Sequence, residues 1–167
     1  MKILPACETC IKSKFLCASC EEKMKSGQIS EFDLDIANTL LELETKYPAL
    51  ESVSLYQTID FGDAVILVVG NSDKIRFSDE IQNELKKKYD LSYLIFIEKT
   101  NKLRPIIESL ILSAKLISLN EIFLPTGETE YKAIIDKSDK EKILFTAEEL
   151  EELIGELTGE IIRVKFN

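Results

Sequence analysis

The sequence contains no histidine and no tryptophan. Without histidine the chain has no side chain that ordinarily titrates near neutral pH, and no Cys/His or Ser/His pair for nucleophilic catalysis. Acidic neighbours such as Glu148 and Glu149, or Glu151 and Glu152, remain. Adjacent residues of a helix do not share a face, so these pairs are typical of a solvated surface and not of an acid–base site. We therefore expect a protein that is not an enzyme and takes no small-molecule substrate.

Long apolar runs are also missing. No stretch approaches the roughly 18–20 apolar residues needed to cross a bilayer, and residues 1–5 (MKILP) lack the apolar segment of a signal peptide. A chain of 167 residues is long enough for one ordinary domain or two small ones. We expect a cytoplasmic protein without a membrane partner.

Only the first thirty residues have a positive charge balance. Residues 1–30 carry five Lys against three Glu, whereas residues 31–98 carry six basic and fourteen acidic side chains, and the whole chain has a net charge of −9. An acidic body does not attract a phosphate backbone in bulk. Any contact with nucleic acid must therefore use a local basic patch.

All four cysteines lie in one short segment, Cys7, Cys10, Cys17 and Cys20, with the spacing C-x2-C-x6-C-x2-C. Two C-x-x-C turns supply the four thiolates of a tetrahedral zinc site with no open position, which indicates a structural ion. Two disulfides are the first alternative, which a reducing cytoplasm disfavours. An iron–sulfur cluster is the second, because four thiolates also suit iron. We predict a zinc module over residues 1–27, folded largely by its metal.

Lysines surround this module. Lys12 and Lys14 lie on the arm between the cysteine pairs, and Lys23 and Lys25 follow it. A small rigid module with these lysines can contact RNA or an acidic partner surface. A solvated collar of lysines is an equally consistent interpretation.

A short pattern occurs twice. Ser72-Asp73-Lys74 and Ser138-Asp139-Lys140 are 66 residues apart, and each is followed by an apolar–basic stretch, a hydroxyl residue and a helical pattern. Chance similarity between polar turns is the alternative. The residues on either side of the pattern match as well. We therefore interpret residues 28–100 and 101–167 as two copies of one α/β unit, each with the order helix, strand, strand, helix, strand.

Several strings resemble a known family. Residues 97–101 (IEKTN) through 114–119 (AKLISL) are similar to the junction between the two KH domains of NusA-type transcription factors, and residues 157–164 (LTGEIIRV) resemble the close of the second domain. With the four-cysteine segment, the chain resembles archaeal NusA-like tandem KH proteins. The resemblance implies an α+β fold: a zinc knuckle or ribbon followed by two type II KH-like (α-β-β-α-β) units packed side by side.

The chain departs from the family at the RNA-gripping loop. A KH domain holds about four nucleotides with a Gly-x-x-Gly loop, but residues 70–77 contain one glycine and residues 136–145 none. The basic side chains left there are Lys74 and Arg76 in one unit, and Lys137, Lys140 and Lys142 in the other. Side-chain contacts to phosphate are less specific than backbone gripping. Ordinary turn charges are the alternative.

Two functions follow from these features. The first is a non-catalytic RNA-associated factor in transcription or translation, with RNA and RNA polymerase or the ribosome as partners. Its candidate RNA contacts are Lys12, Lys14, Lys74, Arg76, Lys140 and Lys142. The second is a protein-interaction adaptor on a degenerate KH scaffold that no longer grips RNA.

Overall fold

The computed structural model describes residues 1–167, and the chain divides into two compact units, Met1–Lys99 and Thr100–Asn167. Three 3-10 segments, at Pro48–Ser52, Lys74–Arg76 and Lys137–Lys142, connect the regular elements. The helices are α1 (Glu8–Ser13), α2 (Ala18–Lys25), α3 (Glu31–Glu44), α4 (Asp79–Tyr89), α5 (Leu103–Ile111) and α6 (Ala147–Thr158). The strands are β1 (Leu55–Phe61), β2 (Ala64–Val69), β3 (Tyr93–Glu98), β4 (Leu116–Phe123), β5 (Thr129–Ile135) and β6 (Ile161–Phe166).

Helix α3 joins the cysteine segment to the first sheet. Its first turn is fixed by a capping box, in which Ser30 and Asp33 exchange side-chain and backbone hydrogen bonds. Its apolar residues recur every three to four positions, and Ile36 and Leu40 are fully buried. They belong to the same hydrophobic cluster as Ile11 of α1, so apolar packing on α3 supports the cysteine segment in addition to any metal.

The first unit contains a three-stranded sheet with the order β1-β2-β3. Strands β1 and β2 form an antiparallel hairpin, whereas β2 and β3 are parallel. A parallel pair needs a crossover connection of a dozen or more residues, and the 3-10 segment and α4 supply it. Strand β2 is buried along its whole length, as expected for the apolar central strand of a covered sheet.

The second unit repeats this topology. Its sheet has the order β4-β5-β6, with β4 and β5 antiparallel and β5 and β6 parallel. Helix α6 begins with a capping box between Thr146 and Glu149 and ends at Gly159, whose φ of 75° is the left-handed conformation that favours glycine. The predicted α+β class, with two small helix-and-sheet units after a cysteine segment, is therefore confirmed.

Some local predictions were incomplete. The arm between the cysteine pairs contains the short helix α1, which the sequence analysis did not anticipate. Strand β1 extends to Phe61, so the first hairpin turn is confined to Gly62 and Asp63. No helix of the chain combines the length and the apolar character needed to cross a membrane.

Candidate metal centre and basic loops

The two C-x-x-C pairs have the same local structure. Cys7 and Cys17 are the N-cap residues of α1 and α2, and Cys10 and Cys20 lie in the first turns of these helices. A helix N-terminus favours negative charge and lowers the pKa of a nearby thiol. The fold therefore directs the four cysteines to the N-terminal ends of two short helices.

The four sulfurs converge. All four Sγ atoms lie within 4.8 Å of one another, with 2.8 Å between those of Cys7 and Cys10 and 3.8 Å between those of Cys7 and Cys20. A tetrahedron with metal–sulfur bonds of about 2.3 Å has corners about 3.8 Å apart. The arrangement fits a single tetrahedral ion. A multi-iron cluster spreads its thiolates over several iron atoms, and so over a wider space than one ion does.

The thiols differ in burial and acidity. Cys10 and Cys20 are buried, Cys7 and Cys17 are exposed, and none of the four forms a disulfide. The Cys10 sulfur accepts a hydrogen bond from the backbone N–H of Cys17 at 3.2 Å. A hydrogen bond from the Cys20 backbone lowers the pKa of the Cys17 thiol to about 7, whereas sharing a proton with Cys7 raises the pKa of Cys10. Metal binding needs the thiolate form, which the lowered pKa of Cys17 favours.

The basic residues of the cysteine segment are of two kinds. Lys12 forms an ion pair with Glu8 one turn earlier, and this contact lowers the pKa of the Glu8 carboxyl. Lys14 ends α1 in the left-handed conformation, is exposed and has no acidic partner. Phe15 follows it with 82% of its surface exposed, which is unusual for a large aromatic side chain. Sequence reasoning missed Phe15, although an aromatic residue in a six-residue lysine-bearing arm was a usable signal.

The loops after β2 and β5 hold the other four basic candidates, in equivalent 3-10 segments. Arg76 lies 3.5 Å from Asp73, and Lys142 lies 2.5 Å from Asp139. Lys140 has its ammonium 5.4 Å from the centre of the Phe166 ring, whereas Lys74 is exposed without such a contact. Three of the four therefore have partners within their own unit.

The two acidic partners are nearly buried and also bind backbone. Asp73 accepts a hydrogen bond from the N–H of Ser54 at 2.8 Å, and Asp139 accepts one from the N–H of Lys115 at 2.9 Å. Each carboxylate thereby fastens its loop to the residue that precedes the first strand of its unit. Both loops are thus held by a carboxylate side chain.

Comparison with known proteins gives a likeness in fold. No protein-family model matches this chain, and no curated protein matches it. The chain is similar to the crystal structure of APE1850, with a TM-score of 0.52 and 16% sequence identity, over 75% of this chain and 96% of that one. At this identity the likeness concerns the fold alone.

Proposed function

We propose that this chain is a non-catalytic, zinc-bearing tandem KH-like protein that associates with single-stranded RNA and with RNA polymerase or the ribosome during transcription or translation. The KH-like part of the proposal is supported by the repeated topology. Both units have the order helix, strand, strand, helix, strand, with one antiparallel and one parallel pair in each sheet. This is the order that the resemblance to NusA-type KH pairs implies.

Zinc is the metal that the donor set favours. Four cysteine sulfurs within 4.8 Å of one another suit a closed structural zinc site with four thiolate ligands. Such a site would hold α1 and α2 together through Cys7, Cys10, Cys17 and Cys20 and fix the arm between them.

The exposed tip of this arm carries the RNA part of the proposal. Lys14 is an unpaired cation, and the neighbouring Phe15 offers a free aromatic face. Proteins that bind single strands combine a cation for the phosphates with an aromatic ring on which a base stacks, and one stack is worth about 1–3 kcal/mol. The KH-like loops contribute less, because their Asp73 and Asp139 neutralise Arg76 and Lys142.

Retardation of a single-stranded RNA by the full metal-loaded chain tests this proposal. Binding should weaken as salt rises, and Lys14→Ala and Phe15→Ala should each weaken it further. Lys12→Ala is the matched control for charge, because Lys12 is already paired with Glu8. Phe123→Ala is the control for an aromatic residue, since Phe123 is 76% exposed but belongs to the second unit. Equal losses in the control variants would refute the assignment to the arm.

A second candidate function is an adaptor that docks on a protein and does not grip RNA. The ion pairs inside both KH-like loops favour it, as does the excess of acidic residues between 31 and 98. Under this alternative the unmodified chain should give no salt-dependent retardation of RNA, and its partners should survive RNase treatment.

A further inference from the structure

A groove runs between the cysteine segment and α3, within the first unit. Its cavity measures about 470 Å³, which lies in the range of roughly 300–1,000 Å³ that ligand-binding clefts occupy. Leu16 and Met24 line one side and Leu34 lines the other, all three half-buried, and Ile11 is buried among them. The groove thus has apolar side chains on both sides, with polar residues such as Asn38 between them, and a partner can cover the apolar part further.

Two carboxylates lie on the α3 side of this groove. Glu31 and Asp35 are four residues apart, so they share a helix face. Both are exposed, and neither forms an ion pair. By contrast, Glu8 and Glu21 of the cysteine segment are each paired with a lysine four residues later. The groove thus presents two uncompensated negative charges beside an apolar surface.

The charges decide the class of occupant. Two unpaired carboxylates repel phosphate, so the groove does not suit RNA. Lys14 on the opposite side disfavours an occupant that is merely polybasic, and the apolar walls require apolar anchors. Met24 adds a flexible, polarisable side chain that adapts to different anchors.

We propose that this groove binds a short segment of a partner protein that combines apolar anchors with one or two lysine or arginine residues, whose cations pair with Glu31 and Asp35. The inference goes beyond the proposed RNA contact, because its charge pairs use Glu31 and Asp35 and its partner is a protein segment, although Lys14 borders both surfaces. The net charge of −9 attracts a basic segment towards the chain as a whole. The groove is the position at which such a segment binds.

A labelled synthetic peptide tests the proposal with the full, metal-loaded chain. The probe is an amphipathic peptide of about 15 residues with leucine and lysine at helical spacing. A control peptide has glutamate in place of lysine. The lysine peptide should bind with saturation, measured by fluorescence polarisation, and the glutamate peptide should not. The double variant Glu31→Gln/Asp35→Asn should weaken binding by roughly tenfold, since it removes both charge pairs.

The matched control is Glu148→Gln/Glu152→Gln. These carboxylates are also exposed and four residues apart on a helix, and the double change removes the same total charge. This control should leave the affinity within about twofold of the unmodified chain. An equal loss of affinity in both double variants would show that only the total charge of the chain matters, and would overturn the proposal.

The methionines locate the bound peptide independently. The chain has two, Met1 and Met24, and only Met24 lines the groove. With 13C-labelled methionine methyl groups, the lysine peptide should shift the Met24 signal and leave that of Met1 in place. Absence of binding, binding without a Met24 shift, or self-association of the chain through this groove would each overturn the proposal.

Discussion

Asp73 and Asp139, 66 residues apart, perform the same structural role in the two units. Each accepts a hydrogen bond from the backbone N–H that precedes the first strand of its unit, at 2.8 and 2.9 Å, and each pairs with the basic residue three positions later. The repeated Ser-Asp-Lys pattern is therefore a structural repeat with a function in the fold. It fixes the loop that follows the central strand of each sheet.

Replacing Asp73 by alanine should destabilise the first unit. Ser54 is buried, and its N–H would lose its acceptor. Leaving a buried donor unsatisfied costs about 1–3 kcal/mol, which urea unfolding at neutral pH measures. Glu141→Ala, an exposed acid of the equivalent loop in the second unit, should change stability by less than about 0.5 kcal/mol. If Asp73→Ala left the stability unchanged, water would have replaced the carboxylate as the acceptor for Ser54.

Gly70 should be coupled to Asp73. A Cβ at position 70 would lie 2.2 Å from Oδ2 and 3.1 Å from Cγ of Asp73, so Gly70→Ala must displace the carboxylate from Ser54. The cost of Gly70→Ala should therefore be smaller in an Asp73→Ala background than in the unmodified chain. A double-mutant cycle measures this difference, and strictly additive effects would contradict the predicted contact.

The ion pair between Asp139 and Lys142 should make stability depend on pH at both ends of the scale. The hydrogen bond from Lys142 lowers the pKa of Asp139 below its ordinary 3.8, and the same contact raises the pKa of Lys142 above 10.5. The contribution of Asp139 is present above its unfolded pKa and is lost as pH falls through the folded pKa. That of Lys142 is present below 10.5 and is lost as pH rises through its folded pKa.

The variant Asp139→Asn tests this dependence. Its stability should be lower than that of the unmodified chain at pH 7, and the gap should narrow as pH falls below the ordinary 3.8 and close once pH passes the lowered pKa of Asp139 in the folded chain. Glu141→Gln is matched for charge in the same loop and should show no such closing gap. A gap that is constant from pH 7 to pH 3 would mean that the ion pair is not the cause.

Removal of the metal should unfold the cysteine segment in part but not the whole first unit. Elemental analysis should find one zinc per chain, and Cys10→Ser or Cys20→Ser should lose it, because each removes one of four converging ligands. Ser19→Ala, an exposed change between two ligands, should retain the metal. Iron together with inorganic sulfide in the purified protein would contradict the zinc assignment.

The elements that the sequence predicted well are those with a local cause. Ser30, Ser78 and Thr146 cap helices α3, α4 and α6, and alternating or continuous apolar runs mark the strands. The C-x-x-C spacing predicted the four-sulfur cluster, since ligand geometry is itself local. Tertiary contacts were not predictable in this way. The hydrogen bond between Asp73 and the Ser54 backbone and the groove beside α3 depend on how distant segments pack, and no residue pattern encodes them.

Asp33 provides the sharpest test of how α3 is attached to the sheet. It is 3% exposed, and both of its carboxylate oxygens accept hydrogen bonds: one from the N–H and hydroxyl of Ser30 at 2.7 and 2.9 Å, the other from the N–H and hydroxyl of Thr58 at 2.6 and 2.7 Å. An asparagine in this place would set its NH2 group against a backbone N–H in either orientation. Asp33→Asn should therefore destabilise nearly as much as Asp33→Ala, by about 3 kcal/mol or more.

The capping box of α6 is the matched control. There Glu149 uses one oxygen, which accepts from the N–H of Thr146 at 2.8 Å in an exposed setting. Glu149→Gln keeps such an oxygen and should cost less than about 1 kcal/mol, measured by the same urea unfolding. A tolerated Asp33→Asn would mean that Thr58 and Ser30 find other acceptors, and that the link between α3 and β1 rests on apolar packing.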